Sequence, residues 1–265
     1  MKKKSQVAFA LGTGRCGTNF LYELIDRSKN TVAYHEQNPL SDAFIRYASW
    51  YQLPIDLSSC WDQKSQIIRE AHQKGKDYFE SSAYLSLSIP KLYTEHDARF
   101  ILLIRHPRAV VQSYFTKGWY EVPMIRNAPE LPPAIQPELE KPHHYFSRIV
   151  AYGNEGQTWS HLSRVGKLAW FWKTINSAVI AKFQALPEEQ YRIIRLEDFT
   201  YEVYQEVASF LNVESLLTER AFNKIADSKP NKSKKKQSSI AWTEEEEEEF
   251  REYVGELSAK FKYEL

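Results

Sequence analysis

The chain has 265 residues, 43% of them hydrophobic, with 35 Lys and Arg against 34 Asp and Glu and a net charge of +1. That length and apolar share suit one large α/β domain with a substantial core, and the balanced charge leaves no global case for a nucleic acid or an anionic membrane as partner. Two cysteines, Cys16 and Cys60, give no disulfide framework and point to a reducing, cytoplasmic setting.

The opening Met-Lys-Lys-Lys-Ser-Gln imitates the basic flank of a signal peptide, but the apolar run behind it is too short for one. No segment approaches the length that spans a membrane. That first run predicts a strand over 6–11, and Phe20, Leu21, Leu24 and Ile25 share one face of a helix over 18–29. A short strand from Thr31 to Tyr34 ends at His35-Glu36. Helices are expected over 40–51 and 62–75, and Tyr78-Phe79-Glu80 reads as the next strand end, with Ser81-Ser82 opening a turn. Phe100 to Ile104 is an unbroken apolar run, as in a buried parallel strand. Arg105-His106-Pro107-Arg108 closes it, and Pro107 suits the first turn of a helix reaching Thr116.

Residues 118–145 break the rhythm: Pro123, Pro129, Pro132, Pro133, Pro137 and Pro142 exclude regular structure there. A long Pro-rich insertion at about 118–160 is expected to act as a lid or as the acceptor-binding segment. A Trp-rich helix follows over 158–185, then a strand over 192–196 and helices over 200–211 and 243–262. Trp170 and Trp172 lie two positions apart on that helix, so at least one belongs to the core. Thr243 caps the last helix, and the acids Glu244 to Glu249 suit the positive end of its dipole. Strands alternating with helices predict an α/β fold: a three-layer, P-loop-like domain with a central parallel sheet flanked by helices, spanning 1–265.

The segment Gly12-Thr13-Gly14-Arg15-Cys16-Gly17-Thr18-Asn19 joins the first strand to the first helix. Gly12, Gly14 and Gly17 allow a tight turn at positive φ, and backbone N–H groups then face inward beside a helix N-terminus, a cradle for a phosphate-like anion. A nucleoside-triphosphate loop needs Lys and then Ser or Thr after its last glycine. Here Gly17 is followed by Thr18 and Asn19, and the cation sits inside the turn as Arg15. The loop therefore suits an anion but is poorly built for Mg-ATP. Arg105, at the end of the apolar strand, offers a planar fork for phosphate oxygens, and Ser113 lies eight residues on along the next helix. Ligands of open α/β sheets sit at such strand ends, so two anion-binding elements suggest a nucleotide phosphorylated at two places. Glu36 and His35 end the second strand, whose tip the expected sheet order puts beside the glycine loop. Either side chain could take a proton from an acceptor hydroxyl. Glu36 could equally be a solvated carboxylate or a partner for a helix N-terminus.

These residues together resemble the sulfotransferases that use 3′-phosphoadenosine 5′-phosphosulfate. Gly12 to Thr18 is similar to their 5′-phosphosulfate loop, and Arg105 with Ser113 to their 3′-phosphate element. Glu36 stands where the tyrosylprotein and bacterial carbohydrate members carry a catalytic glutamate, and Arg195-Leu-Glu-Asp-Phe199 is similar to a late family segment. The resemblance implies sulfuryl transfer from that donor to a hydroxyl or amine of a small-molecule, glycan or lipid acceptor, without a metal. Glu36 would be general base (His35 the alternative), Arg15 and the loop amides would stabilise charge, and Arg105 and Ser113 would hold the 3′-phosphate. The scattered histidines show no metal-ligand spacing. Many relatives carry a Lys or Arg after the third strand, where this chain has Glu80-Ser81-Ser82. Lys234, within the run Lys232 to Lys236, matches a late basic loop that closes over the nucleotide, or belongs to a charged linker. Cys16 has no visible His partner and is not expected to be a nucleophile, although a helix N-terminus would lower its thiol pKa. The alternatives are a P-loop phosphotransferase and a nucleotide-binding protein without catalysis.

Overall fold

The first strand, β1 (Val7–Leu11), is buried at every position, as an apolar run without alternation requires. Its pleat sends successive side chains to opposite faces. Val7, Phe9 and Leu11 join one core with Phe100, Leu102 and Ile104, while Ala8 and Ala10 join another with Phe79, Ile101 and Leu103. Two cores on one sheet make the three layers the alternation of elements predicts. The computed structural model describes residues 5–121, 141–214, 217–228 and 241–265.

In chain order the further elements are α1 (Thr18–Ile25), β2 (Thr31–His35), α2 (Pro39–Trp50), α3 (Ser58–Gln73), β3 (Asp77–Ser81), α4 (Ile89–His96), β4 (Arg99–Ile104), α5 (Pro107–Thr116), α6 (Pro142–Ser147), α7 (Asn154–His161), α8 (Arg164–Phe183), β5 (Tyr191–Arg195), α9 (Tyr201–Phe210), α10 (Glu219–Ser228) and α11 (Glu244–Lys260). The strands lie in the order β2-β3-β1-β4-β5, and every pair is parallel. One face of the sheet carries α1, α9 and α10 through Leu21, Leu24, Tyr204, Val207 and Phe222. The other carries α3, α4, α5, α8 and α11 through Ile68, Leu92, Val111, Phe171 and Val254. No helix among the described residues is long and apolar enough to cross a membrane.

The structure corrects several expectations. Strand β2 does not neighbour β1: β3 lies between them, so Glu36 reaches the glycine loop across the end of β3 rather than directly. The helix expected over 158–185 is two. Ser163 ends the first run and caps the second, its Oγ accepting from the Gly166 amide at 3.0 Å, because a hydroxyl here satisfies a free helix donor. The expectation that at least one of Trp170 and Trp172 is core holds for both, 1% and 0% exposed, since α8 packs against α5 and α11 and shares a core with β1 and β4. Pro142 does not break structure but opens α6, where its missing N–H costs nothing. Of the insertion expected at about 118–160, residues 122–140 lie outside the described residues. Its flanks belong to the core: Trp119, Tyr120, Tyr145 and Val150 are buried, and Tyr120 donates to the Ile149 carbonyl at 2.5 Å. Thr243 caps α11 as expected, and Glu246 extends this to a capping box, the Glu246 amide donating to Thr243 Oγ1 at 3.2 Å and the Thr243 amide to Glu246 Oε2 at 2.9 Å.

Candidate active site

Parallel strands end on one side, so the sheet brings the carboxyl ends of β1, β2, β3 and β4 to a common rim, where the loops after them meet. The loop after β1 is held from two sides. Ser86 Oγ, in a short 3-10 turn after β3, accepts from the Gly12 amide at 3.2 Å and donates to its carbonyl at 2.7 Å. Tyr114 OH, on α5, donates to the Thr13 carbonyl at 2.5 Å. Gly14 and Gly17 take φ of 84° and 101°, and a Cβ on Gly14 would strike the Tyr114 hydroxyl. Gly12 is not at positive φ. It is needed for room, since a Cβ would come within 2.5 Å of Cys16 Sγ and 2.7 Å of the Leu103 carbonyl. The third residue at positive φ is Arg15, at 57°.

Arg15 is the hub of the site. Its Nε donates to Ser113 Oγ at 2.8 Å, and its carbonyl accepts from Arg105 Nη1 at 2.9 Å. Arg105 and Ser113 thus meet through Arg15, which links the loop after β1 to the segment after β4. The Arg105 carbonyl is fixed in turn by Trp172 Nε1 at 3.1 Å. Arg108 turns away: it forms a two-pronged ion pair with Glu247 at 2.6 and 2.7 Å and lies over Trp242 and Phe250, clamping α11 to α5.

Thr13 and Thr18 are buried, and Thr18 Oγ1 lies 3.5 Å from His35 Nε2. Asn19 points along its own helix, donating to Glu23 at 2.9 Å. Cys16 is fully buried, and burial pushes its thiol pKa up rather than down, so the expected activation by the helix end is overturned by desolvation. Lys234 lies outside the described residues.

Glu36 is half-buried at φ 51°, its amide donating to the Ser81 carbonyl at 3.0 Å. Burial raises its pKa from 4.5 to about 7, Arg46 and Arg15 oppose the rise, and Glu80 adds to it. His35 goes the other way, as burial lowers its pKa. A carboxyl that binds its proton near neutrality suits proton transfer better than an imidazole held neutral by burial.

Sequence reasoning missed the residues that support this rim. Ser86 and Tyr114 hold the loop. Arg46, 1% exposed, donates to the Ala83 carbonyl at 2.5 Å and reaches Ser147 O at 3.5 Å. Behind Glu36, Lys64 joins Asp42 and Glu80 at 2.9 and 2.8 Å. Lys64 stands in the polar run Asp62-Gln63-Lys64-Ser65-Gln66, which gives no sign of burial, and the separation of the three residues in the chain hides the contact. Among the described residues no group of three or more His, Cys, Asp or Glu could hold a metal ion.

Solved structures similar to this chain include three sulfotransferases. The sulfotransferase STF9 of Mycobacterium avium has a TM-score of 0.58 at 13% identity over 98% of this chain and 78% of its own. The sulfotransferase domain of the curacin biosynthetic pathway has a TM-score of 0.53 at 12% identity over 99% of both chains. A sulfotransferase from Alicyclobacillus acidocaldarius has a TM-score of 0.52 at 13% identity over 99% of this chain and 98% of its own. At such identities the likeness is one of fold, a parallel sheet flanked by helices. No curated protein matches the sequence. The family described as the sulfotransferase domain matches residues 6–264, almost the whole chain, and with its loop, rim and sheet in that arrangement the protein belongs to the sulfotransferase family.

Proposed function

We propose that the protein moves a sulfuryl group from 3′-phosphoadenosine 5′-phosphosulfate to a hydroxyl or amine of an organic acceptor, with Glu36 as general base. The acceptor atom attacks sulfur in line. Its bond to sulfur forms as the bond from sulfur to the 5′-phosphate oxygen breaks, and 3′,5′-bisphosphoadenosine leaves with that electron pair. Glu36 takes the acceptor proton, and a pKa raised to about 7 leaves part of it ionised at neutral pH and makes that carboxylate a stronger base than an ordinary one. Arg15 and the amides of residues 14–19 balance charge gathering on the leaving oxygen. Arg105 and Ser113 hold the 3′-phosphate and so choose this donor over ATP, and that remote contact orients the reacting group.

The observation that carries the proposal is the hub at Arg15. One side chain in the anion loop is bonded to Ser113 while its carbonyl is bonded to Arg105, as a ligand with two separate phosphate-like groups would use. The unpaired Cys16 and Cys60 fit a reducing, cytoplasmic setting, and the whole chain is proposed to act as a single domain. The test is a thermal-shift titration with 3′,5′-bisphosphoadenosine beside ADP and Mg-ATP. A ligand at about 100 times its Kd stabilises by about 2.7 kcal/mol. The bisphosphate is expected to raise the midpoint and ADP to raise it far less. A rise with Mg-ATP and none with the bisphosphate would overturn the proposal in favour of phosphoryl transfer.

A further inference from the structure

Glu36 occupies the left-handed region, at φ 51°. A residue with a Cβ stays there only where its surroundings over-determine it. Two bonds do so here. The Glu36 amide continues the strand ladder to the Ser81 carbonyl, and the next amide, Gln37 N–H, donates to Glu80 Oε1 at 3.1 Å. Glu80 is 0% exposed. Its other oxygen, Oε2, accepts from Lys64 Nζ at 2.8 Å and Tyr78 OH at 2.6 Å. Lys64 donates also to Asp42 Oδ2 at 2.9 Å, while Asp42 Oδ1 has no hydrogen-bond partner. One ammonium is thus shared by two buried carboxylates. Burial and the Glu80 charge push the Asp42 pKa up.

Stability does not account for such a cluster, because buried ion pairs are often replaced by apolar residues at no loss. Its place does, since it stands immediately behind the candidate base. We infer that Glu80, anchored by Lys64 and Tyr78, is a positioning residue for Glu36: it holds the turn that aims the base and sets a negative charge behind it. This rests on the reading of Glu36 as base. The charges acting on Glu36 come from every side: Arg46 on α2, Glu80 on β3 and Arg15 in the loop. Tyr84, in the 3-10 turn, and His35 complete its titratable surroundings, and burial favours the neutral form of both. Of these, Glu80 alone adds a negative charge.

The experiment follows the Glu36 carboxyl itself, as the 13C side-chain resonance that disappears in Glu36→Gln, in protein labelled at glutamate carboxyl carbons and titrated with acid and base. In Glu80→Gln the amide can still offer its oxygen to Gln37, while the charge is gone and an NH2 group stands where Lys64 and Tyr78 had an acceptor. The Glu36 midpoint is expected to fall by about half a unit or more, with the thermal shift given by 3′,5′-bisphosphoadenosine unchanged. Should an unpaired Lys64 prevent folding, the double variant Lys64→Met with Glu80→Gln removes both charges and is expected to move the midpoint the same way. A residue that served stability alone would lower the melting temperature and leave the midpoint where it was, and that result in either folded variant overturns the inference. The base reading is tested apart from this, by turnover of Glu36→Gln, and its failure would leave the measured coupling between Glu80 and Glu36 standing.

Discussion

Substituting Glu36 by Gln is expected to stabilise the protein while abolishing its turnover. The carboxyl binds its proton near pH 7 in the folded chain, against an ordinary value of 4.5, chiefly because burial disfavours its charge. The folded state therefore holds that proton more tightly than the unfolded state does, and stability is lost as pH rises from about 4.5, fully so above about 7. A rise of about 2.5 units at about 1.36 kcal/mol each makes the ionised base cost about 3 kcal/mol at alkaline pH. Gln keeps the shape and the hydrogen-bonding capacity and carries no charge. At pH 8.5 the variant should melt above the wild type by roughly 6 °C, at about 2 °C per kcal/mol for a chain of this size, and at pH 4 the two should coincide. Paired thermal melts from pH 4 to 9 give a difference curve that starts to rise near the ordinary carboxyl pKa and levels off at the folded-state pKa of Glu36. A flat difference curve, or a variant less stable at every pH, would refute the reasoning from burial.

Two further substitutions probe the frame of the site. Lys64→Met leaves two buried carboxylates without their cation, and breaking a buried pair in this way costs about 3–5 kcal/mol; a fall of roughly 6–10 °C in melting temperature is expected, larger at pH 8.5 than at pH 5 because protonation relieves the repulsion, and a fall independent of pH would contradict it. Gly14→Ala combines a residue at φ 84° with a Cβ driven into the Tyr114 hydroxyl, so the loop should lose its shape and the thermal shift with 3′,5′-bisphosphoadenosine should shrink or vanish, whereas an unchanged shift would mean the loop does not form the donor site.

Local chemistry alone made much of this protein legible. The unbroken apolar runs marked β1 and β4, the glycines marked the tight turn between β1 and α1, and Thr243 before a row of glutamates marked the start of α11, because each depends on residues within one turn or one strand. The helix break at Ser163 escaped, since a serine in a Trp-rich stretch signals a cap only when the chain has reason to turn, and that reason is Glu249 on α11 holding the Ser163 amide at 3.1 and 3.0 Å. Strand order was likewise not local, as β3 enters between β1 and β2 from sequence far downstream of both. The same holds for chemistry. Residue type and spacing nominated Arg15, Glu36, Arg105 and Ser113, but their properties came from packing. Arg15 became the link between Ser113 and Arg105, and burial pushed up the pKa of the Cys16 thiol and raised that of Glu36 to about 7. A side chain's identity is written in the sequence, whereas its desolvation and its neighbours' charges exist only once Asp42, Lys64 and Glu80, from three separate elements, have been brought together behind it.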